Sequence, residues 1–179
     1  MANIVIVTGG VRQVNVNAGI VDIIAAEVNG RDGLTAQVAD LGALNLPFFN
    51  APTSPSAEEY TITDEAVRQW SDMVSKADAV MFVAPEYNHG LSAVQKNAID
   101  WLYSEWNAKV VAYVVYGRHA GVHTLAQLQE ISTVVKWKPI DKVVALQFTR
   151  DIATDGSLIA AEEVRGEIVA AVDQLVQAM

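Results

Sequence analysis

The sequence predicts an α/β domain built on a doubly wound, five-stranded parallel sheet of order 2-1-3-4-5, with helices on both faces. Three observations point to it. Five short apolar strand-like runs recur along the chain, and Val80–Ala84 among them is apolar at five positions in a row, as expected of a strand buried on both faces. They alternate with segments whose apolar residues repeat at helical spacing. The 179 residues, 51% hydrophobic and 18% charged, suit one domain with a real core, so residues 1–179 are taken as a single unit. Right-handed crossovers leave few windings at this size, and 2-1-3-4-5 is the natural one.

Each element has its own justification. Asn3–Thr8 (NIVIVT) is the first strand and ends at Gly9-Gly10. Val16–Val28 follows as a helix, with Val16, Ile20, Ile23, Ile24 and Val28 on one face. Leu34–Leu41 is the second strand, with Asp40 at its end. Thr63 is positioned to N-cap a helix that carries Asp64 and Glu65 in its first turn, where the helix dipole favours acids. Ala79–Ala84 is the third strand and Ser92–Tyr103 the next helix. Lys109–Tyr116 is the fourth strand, followed by a helix marked by Leu125, Leu128, Ile131 and Val135. Lys142–Phe148 is the fifth strand, and the last helix occupies about Leu158–Ala178. Lys136-Trp137-Lys138 reads as a solvated helix end.

Composition narrows the function. The absence of cysteine excludes disulfides and thiolate metal sites and suits a reducing compartment. MANIVIVTGG lacks the basic n-region and long apolar run of a signal peptide, and no run is long enough to span a bilayer. Net charge is −9, from 12 basic and 21 acidic residues, the wrong sign for a nucleic-acid or anionic-membrane binder. A cytoplasmic protein is expected.

In a 2-1-3-4-5 sheet the switch point lies between strands 1 and 3, so a ligand belongs over the loops Thr8–Asn17 and Pro85–Gly90. The first, TGGVRQVNVN, is neither a Walker A motif nor a dinucleotide fingerprint. It still suits an anion: two glycines allow a tight turn, the following helix offers N–H groups, Asn15 and Asn17 offer amides, and Arg12 a cation. Asn15 is equally readable as a plain helix cap.

The second loop, PEYNHG, pairs a restricted proline with Gly90 and the flat side chains of Tyr87 and His89. It suits a planar ring with hydrogen-bonding edges; the plain alternative is a well-packed turn. Glu86 invites a general-base role but has no obvious partner. A third loop, Tyr116–Thr124, sets Arg118-His119 between Gly117 and Gly121. His89, His119 and His123 have no carboxylate or cysteine at ligand spacing, so no metal site is expected.

Pro85-Glu86-Tyr87-Asn88-His89-Gly90 followed by Lys96-Asn97-Ala98-Ile99-Asp100-Trp101 resembles the signature of the NADPH-dependent FMN reductase family, which has the flavodoxin-like fold. The likeness extends over nearly the whole chain. Gly9, Arg12 and Asn17 match places in that family's phosphate loop, Leu46-Pro47 its segment after strand 2, and Tyr116-Gly117 with Gly121 its later flavin-contacting loop. The resemblance implies an FMN cofactor that takes a hydride from NADPH or NADH and passes electrons to flavins, quinones, azo dyes or metal oxyanions. It implies phosphate binding at Gly10, Arg12, Asn15, Val16 and Asn17. It places the isoalloxazine against Pro85, Glu86, Tyr87, Asn88 and His89, with Tyr116, Gly117, Arg118 and Gly121 closing one side. No acid–base residue is expected, because the cofactor carries the chemistry.

Gly10 and Asn15 stand where the family has serines, which predicts weaker retention of FMN. A homodimer or homotetramer is implied. Trp101, Leu102 and Trp106 belong to the core or an interface, and Phe48-Phe49, within the proline-rich stretch Gly42–Ile62, to a subunit contact or pocket rim. Lys96, Asn97 and Asp100 fix the loop or a subunit contact. Two other functions fit the same fold: a flavodoxin-like electron carrier, and a flavin-free binding or regulatory module.

Overall fold

The structure, a computed structural model, describes residues 1–13 and 16–179. Its centre is the sheet. Strand β1 (Ala2–Thr8) pairs in parallel with β2 (Leu34–Asp40) on one side and β3 (Ala79–Tyr87) on the other. Beyond β3 come β5 (Val110–Gly117) and β6 (Lys138–Gln147), also parallel. The five parallel strands therefore lie in the expected succession. The sheet nevertheless has six strands, because the two-residue β4 (Gly90–Leu91) folds back antiparallel onto the end of β3. Numbered along the chain, the order reads 2-1-3-5-6.

The unbroken apolar runs are explained by burial on both faces. Ile4, Ile6, Met81, Val83, Ala112 and Val114 pack toward helices α1 (Asn17–Asn29) and α6 (Ala161–Ala178). Their neighbours Val5, Val7, Val80, Phe82, Val111 and Tyr113 pack toward α3 (Glu65–Ser75), α4 (Ala93–Asp100) and α5 (Val122–Val135). Successive residues of a strand thus feed opposite cores, each large side chain contributing about 1.5–3 kcal/mol on burial.

Several expectations need correction. Asp64, not Thr63, caps α3, accepting from the N–H groups of Ala66 at 2.9 Å and Val67 at 3.1 Å. A single turn, α2 (Leu41–Leu44), follows β2, and Asp40 caps it through the N–H of Gly42 at 2.9 Å. Helix α4 stops at Asp100, and the chain passes into a 3-10 turn at Ser104–Trp106. Trp101, Leu102 and Trp106 are all core residues. Lys136-Trp137-Lys138 is no solvated end. Lys136 closes α5 at φ 63°, Trp137 is 3% exposed, and its indole N–H donates to the Tyr113 hydroxyl at 2.7 Å. Burial pushes the Tyr113 phenol up to about 12, so it remains a neutral partner. Among the described residues, no helix is long and apolar enough to cross a membrane.

Candidate functional site

The C-terminal ends of β1, β3, β5 and β6 share one edge of the sheet, and a cavity of about 260 Å³ opens there. Arg12, Val16, Pro85, Glu86, Tyr87, Tyr116, Phe148, Thr154 and Gly156 line it. At one end lies the start of α1. Val16 occupies its N-cap without a side-chain hydrogen bond, and no acidic residue stands in its first turn. A helix start beside a guanidinium, with no carboxylate in its first turn, is suited to an anion such as a phosphate.

The loop after β1 is built around two buried amides. Asn17 Nδ2 donates to the Gly10 carbonyl at 3.2 Å, and its Oδ1 accepts from the Tyr116 hydroxyl at 2.5 Å. Burial, reinforced by Tyr87 and opposed by Arg12, holds the Tyr116 phenol far above its usual range, so it stays a donor. Gln95 reaches over from α4 and donates through Nε2 to the Val83 carbonyl at 3.1 Å, where the Gly9 N–H also donates at 3.0 Å. A Cβ on Gly9 would sit 2.1 Å from the Gln95 amide carbon, and one on Gly10 2.4 Å from Asn17 Nδ2. The glycine at position 10 therefore makes room for Asn17. A serine there would have to displace that amide.

The PEYNHG segment is not a loop over most of its length. Strand β3 continues through Pro85-Glu86-Tyr87, and Glu86 and Tyr87 pair with Leu91 and Gly90. Asn88 (φ 49°) and His89 (φ 60°) form a two-residue turn with both residues left-handed, the geometry that suits the right-handed twist of a hairpin. Helix α5 clamps this hairpin. The Thr124 hydroxyl lies within 3.1 Å of the Pro85 carbonyl and 2.9 Å of that of Gly90, and Gln127 Oε1 accepts from the Leu91 N–H at 2.7 Å.

Glu86 has partners that the sequence does not bring near it. Its side chain is only 4% exposed, Oε2 accepts from the His123 backbone N–H at 2.8 Å, and Oε1 lies 3.9 Å from His119 Nδ1. The start of α5 thus holds the carboxylate through the His123 N–H, at the helix end whose dipole favours an acid.

A model of the NADPH-dependent FMN reductase family matches residues 2–151. The chain belongs to that family. An NAD(P)H-dependent FMN reductase of a Nectria species is 33% identical over 153 residues, covering 83% of this chain and 76% of that protein. Another from Schizosaccharomyces pombe is 29% identical over 160 residues, covering 89% and 80%. Among solved structures, the flavoenzyme NAD(P)H:(acceptor) oxidoreductase of Paracoccus denitrificans superposes with a TM-score of 0.75 over 99% of both chains. Its identity is 23%, so the likeness is one of fold.

Within this FMN reductase family member, six of the fourteen expected binding residues line the cavity: Arg12, Val16, Pro85, Glu86, Tyr87 and Tyr116. Gly10 and Asn17 are buried behind the loop and brace it. Asn88 and His89 form the exposed hairpin tip. Arg118 is exposed in the turn after β5, and Gly121 closes that turn at φ 70°. Gly117 packs under Glu86, whose Cβ would be 2.8 Å from a Cβ added there. Asn15 lies outside the described residues.

Sequence reasoning missed Gln95, Phe148, Thr154 and Gly156. The last three follow β6, and the topology alone places that strand's end on the cavity edge. Gln95 had a weaker signal, a polar residue among the apolar positions of α4. Asn97 holds a segment other than the Pro85–Gly90 loop: it donates to the Pro47 carbonyl at 2.9 Å and accepts from the Phe49 N–H at 2.8 Å.

Proposed function

We propose that residues 1–179 act as one FMN-binding domain and that the protein is an NAD(P)H-dependent oxidoreductase reducing small acceptors such as flavins, quinones, azo compounds or metal oxyanions. The observation that carries this reading is the switch-point cavity, with Arg12 and the start of α1 at one end and a strand edge at the other. FMN bound there would supply hydride acceptance from NADPH or NADH and delivery of electrons to the acceptor.

The chain's own part is to hold and orient. Arg12 and the N–H groups opening α1 near Val16 and Asn17 would take the phosphate, with Asn15 and the Gly10 backbone adjoining. Pro85, Glu86 and Tyr87 would present backbone and side chain to the ring, and the Asn88-His89 turn would limit its outer edge. Tyr116 and Gly117 would back it, with Arg118 and Gly121 in the adjoining turn. No side chain is assigned a proton-transfer role.

A homodimer or homotetramer in the cytoplasm forms part of the proposal. Phe48, 80% exposed, and Phe49, whose ring stands edge-on to Trp101 at 5.0 Å, offer an apolar surface for a second subunit. The test is a visible spectrum of the purified protein after saturation with FMN and removal of excess. The expected result is a retained flavin band that NADPH or NADH bleaches anaerobically. Retention without bleaching would favour the electron carrier, and no retention the flavin-free module.

A further inference from the structure

We propose that Glu86, His89 and His123 form a binding site for a divalent first-row transition-metal ion, zinc being the representative case, at the junction of the hairpin and α5. One donor atom from each of these three residues lies within 4.8 Å of the others. In a tetrahedral zinc site the donors stand about 3.3 Å apart, at Zn–N distances of about 2.0–2.1 Å. Closing the difference needs movement of side chains only. His89 and His123 are exposed, with rings stacked at 4.2 Å between centroids and 21° between planes, so solvent-facing rotation can turn both toward one point.

The backbone beneath the three donors is already rigid. Glu86 lies in the β3–β4 ladder and is tied to the His123 N–H, His123 belongs to the first turn of α5, and His89 is fixed in a two-residue turn. Such scaffolding holds ligands with little ordering left to do on binding. His89 sits at φ 60°, a left-handed position that histidine enters more often than most side chains, so the turn carries the imidazole without displacing the ladder.

The donor chemistry sets the class of ion. Two imidazoles and a carboxylate suit zinc, copper, nickel or cobalt, whereas magnesium and calcium take oxygen donors. His119 flanks the site: its Nδ1 lies 3.9 Å from Glu86 Oε1, beyond hydrogen-bond distance, and its ring stands edge-on to His89 at 5.5 Å. The sequence hides this constellation, because Glu86 and His123 are 37 positions apart and meet only through the fold. The proposal does not depend on bound flavin.

The experiment is equilibrium dialysis of the tag-free protein against Zn2+, with metal measured by mass spectrometry and affinity by competition with a chromophoric chelator. Co2+ in place of Zn2+ would report coordination geometry by its visible d–d bands. The expected result is one ion per chain. His123→Ala and His89→Ala should each weaken binding about tenfold or more, and His119→Ala by a smaller factor. Circular dichroism of each variant separates loss of ligand from loss of fold. Absence of bound zinc, binding unchanged in His123→Ala, equal partial losses in all three histidine variants, or a preference for Mg2+ would each overturn the proposal.

Discussion

The two segments that flank the switch point are held in opposite ways. After β1 the chain is pinned by side chains: Asn17 and Gln95 fill the space that Cβ atoms on Gly10 and Gly9 would take. After β3 the chain is pinned mainly through its backbone, with ladder bonds inside the hairpin and α5 side chains on its main-chain groups. The first segment therefore has no room for one added carbon, whereas the second has room but demands an unusual backbone at its tip. A site assembled from both combines a sterically saturated anion end with a ring end defined by strand geometry.

The largest effect should come from adding one methyl group to each segment. Gly9→Ala drives a Cβ to 2.1 Å from Gln95, whose buried amide would have to leave the Val83 carbonyl. About 3 kcal/mol of destabilisation is expected from overpacking and the lost hydrogen bond together. Gly90→Ala meets nothing closer than 3.5 Å, an ordinary contact with Gln127, and should cost less than about 1 kcal/mol. Urea denaturation of both variants measures the contrast, and equal costs would break it.

A second pair removes one hydroxyl from each side. Tyr116→Phe leaves buried Asn17 Oδ1 without its 2.5 Å donor, at a cost of about 1–3 kcal/mol, and should also speed loss of FMN because Asn17 braces the anion loop. Thr124→Val removes a hydroxyl whose single proton serves either the Pro85 or the Gly90 carbonyl. Both carbonyls belong to a hairpin with other ties, so about 1 kcal/mol is expected, with flavin retention little changed. Thermal unfolding and flavin release rates check both. If Thr124→Val released flavin faster than Tyr116→Phe, the hairpin rather than the amide pair would control the site.

The same contrast explains what the sequence made legible. Parallel strands buried on both faces announce themselves as apolar runs, and the switch point follows from their order, so the cavity's place was readable before any side chain was located. The motif around Pro85 was also readable, yet its shape was not. Pro85 and Gly90 suggested a loop, whereas the ladder carries β3 through Tyr87, since proline at a strand's end breaks no pairing that the sheet needs. Trp137 was misplaced because two flanking lysines made it look solvated; Lys136 turns left-handed at the helix end and lets the indole swing into the core. The Gln95 hydrogen bond to Val83, the Glu86–His123 contact and the place of Phe148 depend on packing between segments distant in sequence, of which only Gln95 left a local trace, as a polar residue among the apolar positions of α4. Gly10 is the most instructive case. As a departure from a family serine it suggested only a lost donor, but the fold gives it a positive reason, room for the Asn17 amide.

The smallest expected effect sharpens the backbone side of the comparison. Asn88 and His89 both sit at positive φ, where both residue types are enriched, but only the short asparagine side chain can offset the cost by hydrogen-bonding locally. His89→Gly should relieve left-handed strain of about 1–2 kcal/mol and lose about 0.5–1 kcal/mol through the greater freedom of the unfolded chain. A net gain of about 0.5 kcal/mol follows, readable as a small rise in Tm in metal-free buffer. Asn88→Gly should give no gain, because little strain is relieved to offset the same unfolded-state cost. In zinc-containing buffer the order of wild type and His89→Gly should reverse, since that variant has lost a ligand and with it the stabilisation that a bound ion confers on the folded state. A His89→Gly variant less stable than wild type without metal would mean that the His89 ring, stacked on His123, holds the hairpin by contact, and that turn geometry is not the limiting term at its tip.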